Sequence, residues 1–218
     1  MLSGVKLQVV SEFKYLGLLI DFQLSFKSHV KKVSHRVKFN LSNFRFIRNS
    51  MTTDAAKIYM HAMIMSHFTY CLTSFAQANK TALKQLETLY KRTLKVLDRK
   101  SNTYHHCLIL RKYKLLSWEN LIKYANLCLI FKILHNKAPP PLQQCITQRS
   151  NTNRTTRGSS RGDCVVPLRK SAFSHSAFSV TASQEWNSLP AHIREISSYR
   201  PFSGQLKIWL IGNQLCTH

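Results

Sequence analysis

Along residues 25–48 the apolar positions recur in steps of three and four: Phe26, Val30, Val33, Val37, Leu41, Phe44 and Ile47. That period places them on one face of a single long helix, Ser25–Arg48. At 100° per residue, Lys27, Lys31, Lys38 and Arg45 fall within about 40° of one another, beside the apolar stripe. Phe39 and Phe46 lie on the side opposite the stripe, where paired aromatics mark a face that packs against a neighbouring part. Ahead of this helix, residues 5–21 alternate and are rich in Val, Leu, Phe and Tyr. They predict two short strands, Val5–Val10 and Phe13–Ile20, joined near Ser11–Glu12. Two strands alone are marginal, so this pair reads as the edge of a larger sheet.

The helical period continues downstream. Thr53 predicts an N-cap with Asp54 in the first turn, and Ala55, Ile58, Tyr59, Ala62, Met63 and Met65 carry the helix to about Ser66. His67–Ala76 continues it with a bend. Thr81 opens a further helix with the stripe Leu83, Leu86, Tyr90, Leu94 and Leu97, and with Lys84, Lys91, Arg92 and Lys95 facing outward. Tyr104–Leu116 reads as a short helix or turn pair. Ser117 caps the next helix, which carries Leu121, Ile122, Ala125, Cys128, Leu129, Ile133 and Leu134. It ends near Asn136, because Ala138-Pro139-Pro140-Pro141 cannot extend it. Residues 147–171 are Ser/Thr/Asn/Arg/Gly-rich and read as a flexible basic linker. Order returns over Ala172–Leu210, where Trp186 sits at a helix end closed by Pro190. Ile193, Ile196, Phe202, Leu206 and Leu210 supply a further apolar face. Trp186, Phe202 and Trp209 are expected to be packing residues.

The expected architecture is mainly α. A terminal β-hairpin (1–24) leads into a basic helical bundle (25–146), then the basic linker (147–171) and a small C-terminal helical unit (172–218). At 218 residues the chain is long enough to bury a real core.

Charge sharpens this picture. The 32 Lys and Arg against 9 Asp and Glu leave a net charge of +23 and a pI of about 10.2. Residues 25–48 alone hold seven Lys or Arg and no carboxylate. Such an excess opposes compaction by self-repulsion, and a polyanionic partner, most commonly nucleic acid, accounts for it. A merely solvated basic face is the plainer alternative. An anionic membrane fits less well, since no Lys/Arg run adjoins an apolar anchor. The first residues lack the apolar core of a secretory signal, and no uncharged run approaches the ~18 residues of a membrane helix. The chain is therefore expected inside the cell, nuclear or cytoplasmic. On that expectation the six scattered cysteines are free thiols. The Arg161-Gly162-Asp163 tripeptide and sequons such as those at Asn40 and Asn153 then carry no meaning.

The sequence does not spell out an active site. It holds no Asp-Asp, Asp-x-Asp or Glu-x-x-Glu pair for divalent metal, no glycine-rich phosphate loop, no Gly-x-Ser-x-Gly elbow and no His-Glu-x-x-His. Histidines such as His61 and His67, on helical faces, read as packed or solvated. Tyr104-His105-His106-Cys107 is the one tight His/Cys cluster, with no second ligand pair at zinc spacing. Binding without catalysis, cofactor or metal is the expectation.

Three stretches, read in order, resemble one family. Phe13-Lys14-Tyr15-Leu16-Gly17-Leu18, with Asp21 and Leu24-Ser25-Phe26 after it, is similar to the segment that closes the palm of reverse transcriptases from non-LTR (LINE-type) retrotransposons. In those proteins a similar Lys-Tyr-Leu-Gly hairpin precedes a basic helix and an aromatic-Cys segment. Their counterparts here are Lys27–Arg48 and His67-Phe68-Thr69-Tyr70-Cys71. Leu129–Leu142, with Ala138-Pro139-Pro140, resembles the same proteins' C-terminal tail. So do Phe178-Ser179-Val180 and the later Trp186-Asn187-Ser188-Leu189-Pro190, Ile193-Arg194, Phe202 and Leu206-Lys207. The resemblance implies a thumb and C-terminal region with only the last palm hairpin attached. The family's catalytic Asp-Asp has no counterpart in this sequence, nor do its endonuclease domain and its cysteine–histidine knuckle. Polymerase activity therefore does not carry over. What carries over is the thumb's grip on a template–primer duplex. A thumb follows an A-form backbone without reading sequence, a task for Lys and Arg on a rigid helix face.

Lys27, Lys31, Lys38 and Arg45 are thus the expected phosphate contacts. The Lys14–Gly17 turn lies where such polymerases hold the primer end, and Gly17 would permit close backbone approach. A tight strand pairing accounts for Tyr15-Leu16-Gly17 equally well. The leading reading is a truncated reverse-transcriptase remnant that binds RNA or an RNA–DNA hybrid, with no membrane or small-molecule partner. An intact polymerase or an acidic protein is a further possible partner. The second reading is a helical interaction module whose basic faces meet acidic proteins. The third is an open reading frame with no stable fold, since an edge without its sheet invites aggregation.

Overall fold

The hairpin turns where glycine allows it, and not where the strand pattern suggested. In the computed structural model, which describes residues 9–76, 80–149, 162–168 and 176–214, strand β1 (Glu12–Tyr15) pairs antiparallel with β2 (Leu18–Asp21). Tyr15 stands opposite Leu18, and Leu16 and Gly17 form the two-residue turn with φ of 45° and 88°. Positive φ at both central positions matches the right-handed strand twist. The expected single strand Phe13–Ile20 is therefore folded back on itself. The expected first strand falls outside the described residues at 5–8, and Val9 and Val10 are not in a strand.

The chain divides into two compact units, Met1–Tyr104 and His105–His218. In the first, α1 (Lys27–Ile47) follows the expected stripe closely: Val30, Val33, Val37, Leu41 and Phe44 are all buried. Its entry has no local side-chain cap, and Leu24 and Phe26 both take φ of 53°. Asp21, from the end of β2, serves in place of a cap. Its carboxylate accepts the N–H groups of Phe26 (2.7 Å), Ser25 (3.0 Å) and Gln23 (3.2 Å). Desolvation pulls the Asp21 carboxyl upward, but the bonds from Ser25 and Phe26 outweigh it and hold it below its usual range.

A 3₁₀ turn at Arg48–Ser50 ends α1, and α2 (Thr53–Tyr59) begins one residue earlier than expected. Thr52, in extended conformation, is the cap, its hydroxyl accepting the Ala55 N–H at 3.3 Å. The helix widens into a π turn at Met60–Met65 and resumes as α3 (Ser66–Thr69). Cys71, at φ 54°, sets the bend expected in this region, and α4 (Leu72–Phe75) follows it. The helix α5 (Lys80–Leu97) lies along α1. Leu86, Tyr90, Leu94 and Leu97 from α5 join Met60, Ile64, Phe68 and Phe75 in the buried set. Each such side chain contributes roughly 1.5–3 kcal/mol relative to exposure.

In the second unit, α6 (His106–Tyr113) precedes α7 (Trp118–Leu134), which Ser117 caps as expected by accepting the Asn120 N–H. After the short α8 (Pro140–Gln143) come α9 (Phe178–Asn187), α10 (Ala191–Arg194) and α11 (Tyr199–Gly212). The expected bundle of residues 25–146 is thus divided between the units, for a physical reason. The helix α7 is apolar around most of its circumference, and such a helix needs cover on more than one side. That cover comes from α9 and α11, through one core containing Leu127, Ile130, Phe131, Trp186, Phe202 and Leu206. Trp186 and Phe202 are buried and Trp209 packs at the margin, all as expected of packing residues.

The expected linker differs where it is described. Gln148 bridges Cys164, and the Cys164 backbone exchanges hydrogen bonds with the Asn187 amide at 2.7 and 2.9 Å. Trp186 Nε1 donates to the Gly162 carbonyl at 3.2 Å, and Asp163 pairs with Arg194. Residues 147–149 and 162–168 therefore belong to the second unit's fold. The rest of that stretch, 150–161 and 169–171, lies outside the described residues.

Candidate nucleic-acid interface

Lys27, Lys31, Lys38 and Arg45 all stand exposed on α1, on the side predicted from the period. No carboxylate occurs on that helix. Lys31, Lys38 and Arg45 repeat every seven residues, a rise of about 10.5 Å per step. Phe39 and Phe46 are 65% and 89% exposed, so the opposite face is open within this unit.

The structure brings a second set of residues to the hairpin end of α1. Lys14 is exposed on β1, and Lys32 Nζ donates to the Gly17 carbonyl at 3.3 Å. Desolvation, followed by the charges of Lys14 and Arg36, lowers the Lys32 ammonium from its ordinary value. These three cations thus share one field. From the end of α3, the Tyr70 hydroxyl donates to the Leu16 carbonyl. Three segments far apart in sequence, the Lys-Tyr-Leu-Gly turn, the basic helix and the aromatic-Cys stretch, therefore meet at one place. Sequence reasoning named Lys14 and Gly17 there but missed Lys32, Arg36 and Tyr70. Helical spacing orders residues along one element and says nothing of which turn will rest on it.

Gly17 has a nearer reason to be glycine than approach of a ligand. Its φ of 88° disfavours any L side chain, and an added Cβ would lie 3.5 Å from the Tyr70 ring. What occupies that side is the chain's own aromatic.

His29 ties the hairpin to the helix. It is buried on α1, and its Nδ1 accepts the Leu19 N–H at 3.4 Å. Burial, then the charges of Lys32 and Arg36, lowers its pKa. His67 is lowered by burial and by Arg36, and its Nε2 meets the Asn40 amide nitrogen at 3.2 Å. Both imidazoles therefore take up a proton less readily folded than unfolded. Below the unfolded value of about 6.5 the unfolded chain binds more protons, so stability is lost as pH falls from there. The melting temperature of wild type is expected to drop between pH 7.5 and 5.5. His29→Asn keeps an acceptor and removes the titration, so its drop is expected to be smaller, with the remainder due to His67. An unchanged drop in the variant would remove His29 from this account.

The remaining chemical candidates are few. His105, His106 and Cys107 each place one ligand atom within 4.8 Å of the others. Three consecutive residues fall one ligand short of a closed structural zinc site. No described helix is long and apolar enough to cross a membrane. Compared with protein-family models, curated proteins and solved structures, the chain matches none.

Proposed function

We propose that the first unit grips the sugar–phosphate backbone of RNA or an RNA–DNA hybrid without reading its sequence. We further propose that the chain is a thumb-and-tail remnant of a non-LTR reverse transcriptase, without polymerase or endonuclease activity of its own. The observation that carries the first proposal is the row of four exposed cations on one rigid helix that bears no carboxylate. A backbone running along α1 would meet Lys31, Lys38 and Arg45 at ~10.5 Å intervals. Lys14 and Lys32 extend the positive field to the hairpin turn, where the family resemblance puts the primer end. Phosphate contacts of this kind position a duplex and carry no base specificity.

A second reading has its own support. The exposed Phe39 and Phe46 suit a helical interaction module, in which case the basic faces would meet an acidic protein. Fluorescence anisotropy of the purified chain with a labelled RNA–DNA hybrid, titrated across salt, separates the two. Circular dichroism establishes beforehand that each protein is helical. Wild type is expected to bind with a steep salt dependence. Lys31→Glu/Lys38→Glu is expected to weaken binding by about 100-fold at ~100 mM salt and to flatten the log–log slope by about 2. Unlabelled duplex should compete, and polyglutamate should not. Folded wild type that ignores duplex and binds polyglutamate would replace this reading with the interaction module. A chain with no helical signal would favour an open reading frame with no stable protein.

A further inference from the structure

Every residue of β1, from Glu12 to Tyr15, is exposed. Alternation along the strand puts Phe13 and Tyr15 on one face, and Glu12 and Lys14 on the other. The two rings are 60% and 59% exposed, although either is large enough to fill a core. Across the hairpin they stand opposite Ile20 and Leu18, so these four side chains share a face. Leu18 is buried and Ile20 half-buried, whereas both rings are left open. β2 packs toward α1, and β1 is the outer strand of the pair.

Single exposed apolar residues are ordinary, but two features set this aromatic pair apart. The first is rigidity. The hairpin is held to the rest of the unit at three points: Lys32 Nζ donates to the Gly17 carbonyl, the Tyr70 hydroxyl to the Leu16 carbonyl, and the Leu19 N–H to His29 Nδ1. The rings are therefore presented by a fixed scaffold, which lowers the cost of ordering them on a ligand. The second feature is charge. Lys14 lies between the rings along the strand, and its charge is felt at Lys32 together with that of Arg36. Of the hairpin's two carboxylates, Asp21 accepts the N–H groups of Gln23, Ser25 and Phe26, and Glu12 lies at the end of β1 away from the turn.

A ligand that fits this face offers flat apolar surface and negative charge in alternation along an extended chain. A single-stranded polynucleotide does so at every residue, because each base has a π-face and each linkage a phosphate. An apolar protein face would cover the rings and bring no counter-charge to Lys14. We infer that Phe13 and Tyr15 form a stacking platform for the unpaired bases of a single strand, whose phosphates pass the edge of β1 toward Lys14. Rings two residues apart are separated by about 6.7 Å along a strand, room for one base on each with the backbone drawn out between them. Exposed aromatics on a sheet stack two or three bases in the same manner in single-stranded RNA recognition. That the strand continues from a gripped duplex rests on the backbone-binding reading above; the stacking does not.

The test follows anisotropy of the full chain with four labelled probes. They are a blunt RNA–DNA hybrid, the hybrid with a single-stranded RNA extension of about eight nucleotides, the hybrid with an abasic extension of equal length, and the free single strand. The RNA extension is expected to tighten binding of wild type by about 10- to 50-fold, and the abasic extension by far less. Phe13→Ala/Tyr15→Ala should lose this gain and keep the wild-type affinity and salt slope for the blunt hybrid, since neither ring belongs to the α1 ridge. Phe13→Leu/Tyr15→Leu keeps apolar side chains on the strand without a π-face and should lose the gain as well; it serves where the alanine variant melts below wild type. Phe13→Trp/Tyr15→Trp should retain it. An undiminished gain in the folded leucine variant, or an equal gain from the abasic extension, would overturn the platform while the duplex grip stands. Wild type that ignores the blunt hybrid, yet binds the free single strand and loses it in the leucine variant, would uphold the platform and overturn the backbone-binding reading. No binding of any probe would overturn both.

Discussion

Phe44→Ala is expected to cost the first unit about 3–5 kcal/mol, read from chemical denaturation followed by far-ultraviolet circular dichroism. Phe44 is wholly buried and stacks on Tyr59 with ring centroids 5.1 Å apart. It sits near the end of α1, the helix that packs along α5, where Arg48 is also buried and donates to the Leu97 carbonyl at 2.8 Å. Removing the ring discards its burial and leaves a cavity that close-packed neighbours collapse into only partly. Total stabilities are roughly 5–15 kcal/mol, so a loss of this size removes a large share of the folding free energy. The consequence for binding is specific. Lys31, Lys38 and Arg45 are aligned only while the chain between them is helical, so duplex affinity should fall in step with helicity and return wherever the variant is folded. A loss below about 1 kcal/mol would show that Phe44 is not the packing centre described here.

Phe202→Ala is the corresponding expectation for the second unit, again at about 3–5 kcal/mol. Phe202 is wholly buried, stacks on Phe131 at 4.2 Å and tilts against Trp186 at 5.9 Å. One ring from α11 therefore touches both α7 and α9, adding to the direct packing of these helices against α7. The three tryptophans of the chain, Trp118, Trp186 and Trp209, all belong to this unit. Tryptophan emission thus reports its unfolding directly. The variant is expected to shift that transition to lower denaturant by more than half of the wild-type midpoint. If the shift is small, Phe202 is not the centre of the packing between α7, α9 and α11.

Much of this was legible in the chain itself. The stripe from Val30 to Phe44 and the four aligned cations of α1 appear where the period puts them, because a buried helix face must repeat every 3.6 residues whatever it packs against. Ser117 was legible as a cap for the same local reason, its hydroxyl meeting the Asn120 N–H. The corrections are also local in origin. Thr52 and Thr53 compete for one cap with the same hydroxyl, and sequence cannot choose between neighbours that differ only in φ and ψ. The turn at Leu16–Gly17 interrupts a run whose alternation reads on as one strand.

What the sequence by itself determined about this protein is which faces of its helices are apolar and which are cationic, since both follow from backbone geometry alone. Only the tertiary structure decided which of those faces meet. It set Lys32 and Tyr70 against the hairpin turn, laid α5 along α1, and gave α7 to the C-terminal helices. Such pairings depend on side chains far apart along the chain fitting in volume and satisfying each other's hydrogen bonds, and no periodicity encodes that.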